Sequence, residues 1–155
     1  MKKQLPSTEI LGYAEIEIHY KRPLFDAIKH IKCSEEVNDL IWQFANTNQI
    51  DFKEFFWVVL LNNANRVLGI SKTSMGSSSS VSVSVKEICQ LALMTSSVHV
   101  IVIHNHPSGV LDPSKADKNI TTKIKKALRL LDVNLLDHLI ITSESYYSFA
   151  DQGEL

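Results

Sequence analysis

Seven consecutive apolar residues, Phe55–Leu61 (FFWVVLL), do most to limit how this chain can fold. The run is too short for a well-formed helix and is rich in aromatic and β-branched side chains, so it reads as a strand. Alternate strand residues point to opposite faces, so a strand apolar at every position needs cover on both sides. A second such run follows at residues 99–103, HVIVI. Helical spacing predicts the cover. Residues 34–46 place Val37, Leu40, Ile41 and Phe44 on one stripe, with Ser34 and Glu36 as an opening cap. Val85–Met94 turns Ile88, Leu91 and Ala92 inward. Residues 114–131 repeat Ala116, Ile120, Ile124, Ala127, Leu128 and Leu131. The remaining strands are expected at 13–20 (peripheral), 66–72, 139–142 and 146–149, with Asn62 and Asn65 framing a hairpin turn before 66–72. The expectation is α/β (α+β): one mixed β-sheet flanked by helices, over residues 13–155, after a flexible N-terminus at 1–12.

Composition narrows the function classes. With 16 Lys plus Arg against 17 Asp plus Glu, the net charge is −1, so bulk charge does not draw the chain to nucleic acid or an anionic membrane. Two cysteines, Cys33 and Cys89, make neither a disulfide framework nor a four-thiolate zinc site and suit a reducing compartment. The start lacks a signal-peptide core, and the longest apolar run falls far short of the roughly 20 residues that span a bilayer. A cytoplasmic protein with no membrane partner is expected. The serine-dense stretch 71–84 reads as a mobile surface loop, with a substrate-covering flap as the sharper alternative.

Chemistry concentrates where the 99–103 strand ends, in His104-Asn105-His106-Pro107-Ser108-Gly109, followed by Ser114 and Asp117. Residues two apart on a strand share a face, so His104 and His106 lie about 6–7 Å apart at the backbone and can converge on one ion. Asn105 points the other way. Pro107 stops the strand, and Gly109 lets the chain turn. Ser114 starts the long helix and Asp117 falls in its first turn, where the helix dipole keeps a carboxylate ionised. Two imidazoles and one carboxylate leave a fourth position for water, as in a catalytic zinc site. An H-x-H pair arises by chance roughly 0.2 times in this composition; adding Pro107, Ser114 and Asp117 at their spacings lowers that to roughly 0.00003, which makes the full pattern specific. Glu54 heads the FFWVVLL strand and is the candidate base for the water, provided that strand end meets the one bearing His104. His138 reads as a hydrogen-bonded supporting residue rather than a fourth ligand. Lys115, Lys118, Lys125, Lys126 and Arg129 read as a solvated helix face, with phosphate contact as the alternative.

Glu54, His104-x-His106-Pro107 and Ser114-x-x-Asp117 resemble the JAMM (MPN+) metalloprotease motif. Within that superfamily, HNHPSG, the DPS ahead of Asp117, Thr121 and Asp137-His138-Leu-Ile-Ile resemble the RadC family, over roughly residues 13–149. The resemblance implies a cytidine-deaminase-like fold with Zn2+ at the sheet edge, bound by His104, His106 and Asp117. It implies Glu54 as general acid/base, Ser114 as a donor to the oxyanion, and a peptide or protein substrate. The helix-hairpin-helix-like region typical of RadC proteins has no counterpart in these 155 residues. Asn105 stands where the deubiquitinating members carry Ser or Thr. A second reading takes the chain as a DNA-repair-associated nucleic-acid or protein interaction module with a non-catalytic zinc. A nucleobase deaminase needs H-x-E and P-C-x-x-C, and neither is present.

Overall fold

The computed structural model describes residues 17, 19–21, 29–75 and 83–155. The FFWVVLL run forms strand β1 (Phe55–Leu61), buried along its whole length. It pairs antiparallel with β2 (Val67–Met75) on one side and with β3 (His99–Asn105) on the other. β3 pairs in parallel with β4 (Asn134–Ile141), and β4 antiparallel with β5 (Tyr146–Ser148). The result is one mixed sheet in the order β2-β1-β3-β4-β5.

The alternation of β1 divides the core. Phe55, Trp57, Val59 and Leu61 join Ile101, Ile103, Leu139 and Ile141 under helix α1 (Ser34–Ile41). Phe56, Val58 and Leu60 join Val100, Val102, Ile124 and Leu128 under α2 (Val85–Met94) and α3 (Lys115–Arg129). Each face of the sheet therefore removes its apolar side chains from water, at roughly 25 cal/mol per Å² buried. The 62–65 turn forms as expected: the Asn62 side-chain oxygen accepts from the Ala64 and Arg66 amides, and Asn65 takes a positive φ of 54°.

Several sequence-based boundaries shift. The 34–46 helix ends at Ile41 and continues as turns, which leaves Phe44 58% exposed rather than on the apolar stripe. Cys33 occupies the N-cap without a side-chain bond; Ser34 is already helical, and Glu36 accepts the Lys32 amide. The serine-dense stretch starts as strand, since β2 reaches Met75, and ends with Ser84 capping α2. Residues 76–82 lie outside the described ones, as does the 1–12 segment. Of the expected 13–20 strand, only Glu17, His19 and Tyr20 are described, and none is in a strand. In α3, Ala116 is exposed, and the buried stripe runs Asp117, Thr121, Ile124, Leu128. β4 begins at Asn134, ahead of the apolar 139–142 signal, because its first residues include Asn134, Asp137 and His138.

Asp137 is buried yet takes three donors: the His138 amide (2.7 Å), the Ala150 amide (3.0 Å) and the Ser148 hydroxyl (2.6 Å). Burial pushes its carboxyl above the ordinary 3.8, partly offset by those bonds. A carboxyl raised in the folded state contributes stability below the unfolded pKa and loses it as pH rises through the folded value. Asp137→Asn, neutral at every pH, is therefore expected to gain stability relative to the parent between pH 4 and pH 7, each tenfold weakening of the buried acid being worth about 1.4 kcal/mol. Urea denaturation of both proteins at the two pH values checks this. An unchanged difference would mean that Asp137 ionises freely in the fold.

Candidate metal centre

The β3–α3–β4 segment builds the site at the carboxyl end of β3, the usual location for ligands on open α/β sheets. Strand alternation sends His104 to the α3 side. The His106 amide donates to the Ile141 carbonyl at 3.0 Å, so β4 anchors the chain as it leaves β3. The chain then turns: the Gly109 amide reaches the His106 carbonyl at 3.0 Å, with Gly109 at φ +78°. That left-handed geometry suits glycine and swings the Val110 carbonyl back to within 2.6 Å of His106 Nδ1. A carbonyl only accepts, so His106 carries its proton on Nδ1 and turns the Nε2 lone pair inward.

Asp117 arrives from the other direction, in the first turn of α3. Ser114 is the N-cap: its hydroxyl accepts the Asp117 amide at 3.2 Å, while Asp117 Oδ2 accepts the Ser114 amide at 2.7 Å. This reciprocal capping box fixes the carboxylate beside the two histidines. His104 Nε2 lies 3.2 Å from Asp117 Oδ1, His106 Nε2 lies 3.5 Å from Oδ2, and the two Nε2 atoms are 2.9 Å apart. Ligands at 2.0–2.1 Å on a tetrahedral ion stand about 3.3 Å from one another, so this triangle has the size a zinc ion needs. All three ligand atoms lie within 4.8 Å of one another, with His104 and Asp117 buried.

The electrostatics agree. Burial alone would raise the Asp117 carboxyl, yet the neighbouring His104 and His106 rings and Ser114 hold it well below the ordinary carboxylate range. The same carboxylate raises His106, against partial burial and with help from the Val110 carbonyl and the Glu54 charge. Two inward nitrogens beside a fixed anion form a pocket that attracts a cation, and the residues fit zinc.

Glu54 sits one residue before β1, and the Phe56–His104 pairing puts that end of β1 beside the end of β3. Glu54, His106, Ser108, Val110, Asp112 and Ser114 line one open cleft of about 340 Å³. The five residues singled out in the sequence, Glu54, His104, His106, Ser114 and Asp117, thus gather at one sheet margin. His138 is not in the ligand cluster; its Nε2 lies 2.7 Å from His104 Nδ1, behind the ring.

Sequence reasoning passed over what Asn105 does. The residue is wholly buried on the opposite face from its neighbours. Its side chain accepts from the Phe55 amide (2.6 Å) and donates to the Ile50 (2.6 Å) and Lys53 (2.7 Å) carbonyls. The peptide groups on both sides of Glu54 are therefore pinned to the strand that carries the histidines. The available signal was the alternation itself: a polar residue between two ligands must enter the opposite layer and find partners there.

A RadC-like JAB domain matches residues 31–154. The chain belongs to the RadC family. UPF0758 proteins are similar to it: that of Flavobacterium johnsoniae is 50% identical over 100 residues, 64% of this chain and 44% of the relative. That of Coxiella burnetii is 38% identical over 142 residues, 92% of this chain and 62% of the relative. That of Aeromonas salmonicida is 44% identical over 107 residues, 69% of this chain and 49% of the relative. The chain thus spans about half the length of the relatives it matches. The RadC match covers every residue of the candidate centre. No helix among the described residues is long and apolar enough to cross a membrane.

Proposed function

We propose that this RadC domain is a zinc-dependent metallohydrolase of JAMM type with a cytidine-deaminase-like fold, acting on peptide or isopeptide bonds. The observation that carries the reading is the ligand triangle of His104, His106 and Asp117 opening on a cleft that Glu54 and Ser114 line. Zinc bound there supplies Lewis acidity, polarising a carbonyl and acidifying water. Glu54 takes a proton from the attacking water and returns it to the leaving amine. The Ser114 hydroxyl accepts the Asp117 amide and can turn its own proton to the oxyanion. Asp117 and the two imidazoles would hold the ion. The free cysteines, Cys33 and Cys89, fit a cytoplasmic setting.

Purified protein is expected to hold about one zinc per chain. It should also cleave members of a peptide and isopeptide panel in a chelator-sensitive manner. Zinc content that is the same in the parent and in His104→Ala would overturn the assignment of the site.

The second reading, a nucleic-acid module with a non-catalytic zinc, draws on exposed Lys125, Lys126 and Arg129, which border a cavity of about 320 Å³ on α3. Lys118 of the same face is engaged by Glu154 at 3.0 Å. A salt-sensitive DNA affinity, lost when Lys125, Lys126 and Arg129 are neutralised together, would favour this reading.

A further inference from the structure

Behind the ligand triangle runs a chain of polar side chains sealed from solvent. His104, Thr121 and His138 are all buried, and His138 is 0% exposed. Thr121 Oγ1 lies 2.6 Å from the Asp117 carbonyl and 2.6 Å from His138 Nδ1. His138 Nε2 in turn lies 2.7 Å from His104 Nδ1. The His138 ring stacks on Phe149 at 4.9 Å with 8° between planes, which fixes its orientation.

The direction of every bond follows from its end. The Asp117 carbonyl can only accept, so Thr121 gives it its single proton. The Thr121 oxygen then accepts, so His138 holds a proton on Nδ1. His138 is 0% exposed, and among the described residues its ring nitrogens meet Thr121 and His104 with no carboxylate to balance a charge, so the ring is neutral and its Nε2 is a bare lone pair. That lone pair accepts from His104, whose proton must be on Nδ1. His104 Nε2 is left as a lone pair facing Asp117 and His106. The last acceptor of the chain belongs to Asp117, itself a member of the triangle, so two of the three ligands are joined through one run of hydrogen bonds.

We propose that Thr121 and His138 are positioning residues that lock His104 in its Nδ1–H tautomer, so that its Nε2 is permanently presented to a divalent cation. This rests on the metal-centre reading above. The lock works before any ion arrives: a neutral imidazole otherwise divides between two tautomers, and only one presents Nε2. Partners of ligating histidines are worth about 10–100-fold in metal affinity. The design uses a neutral imidazole where a carboxylate is the common partner, so it orients His104 without adding a second negative charge to a pocket that already holds Asp117.

Two measurements test the proposal, with Zn2+ as the probe. Long-range 1H–15N correlations of the zinc-loaded parent report which His138 nitrogen carries the proton. Nδ1–H is expected; Nε2–H would reverse the chain and overturn the proposal. Zinc competition titrations then compare the parent with Thr121→Val, Thr121→Ser and His138→Phe, the last keeping the ring that stacks on Phe149. Thr121→Val and His138→Phe are expected to weaken Zn2+ binding about 10–100-fold, with Thr121→Ser restored to near the parent value. Folded variants that bind as tightly as the parent would overturn the proposal and leave the metal centre intact. If His138→Phe does not fold, the Thr121 pair and the parent spectrum decide. A parent that binds no Zn2+ removes the metal centre and this inference together.

Discussion

Glu54→Gln is expected to keep the bound zinc and to lose turnover by about 10²- to 10⁴-fold, the range for removing a positioned general acid/base. The side chain stands outside the ligand triangle, so metal content should stay at the parent level. Glutamine fills the same space and keeps a hydrogen-bond acceptor, but it cannot take the proton of the attacking water. The measurement is kcat on a peptide whose cleavage by the parent is abolished by chelator, alongside zinc analysis of the same sample. Cleavage at the parent rate would remove Glu54 from the chemistry. Loss of both zinc and activity would instead make it a ligand.

Asn105→Ala is expected to cost about 3–4 kcal/mol of stability, since it strands a buried amide, a buried carbonyl and a half-buried carbonyl at once. Against a typical total of about 5–15 kcal/mol, that is a large share, visible as a lowered urea midpoint. Its side chain bonds to Phe55, Ile50 and Lys53 rather than to the triangle, so its functional effect is expected to pass through Glu54. The peptide units on each side of Glu54 lose their anchor, and kcat should fall further than zinc affinity. A variant as stable as the parent would show that water satisfies these groups.

How far the sequence could be read depends on the range of the physics involved. The doubly buried β1, the 62–65 turn, α2 and the capping of α3 rest on local periodicity and local hydrogen bonds, and each was legible. The ligand triangle was also legible, because two of its members share a strand and the third follows within one loop and a helix turn. The α1 stripe was overextended at Phe44, since nothing local marks where tertiary cover ends. Ala116 misled for a related reason: the helix turns polar Asp117 and Thr121 inward, toward His104 and His138, against the ordinary hydrophobic rule. The convergence of Glu54 with the histidines depended on antiparallel pairing between strands about fifty residues apart, which no local pattern contains. The beginning of β4 was hidden likewise, because the partners of Asp137 and His138 lie in α3 and in the chain after β5.

The carboxylate of Asp117 has two employments, one in starting α3 and one beside the imidazoles. The longer acid, glutamate, has the same charge but places it one methylene farther out, so reaching one partner means leaving the other. A cation held by this side chain and the two imidazoles would also staple the first turn of the helix to the last residues of β3, closing the excursion between them from both ends. Occupancy of the centre would thereby be coupled to the order of that excursion, which forms a wall of the cleft.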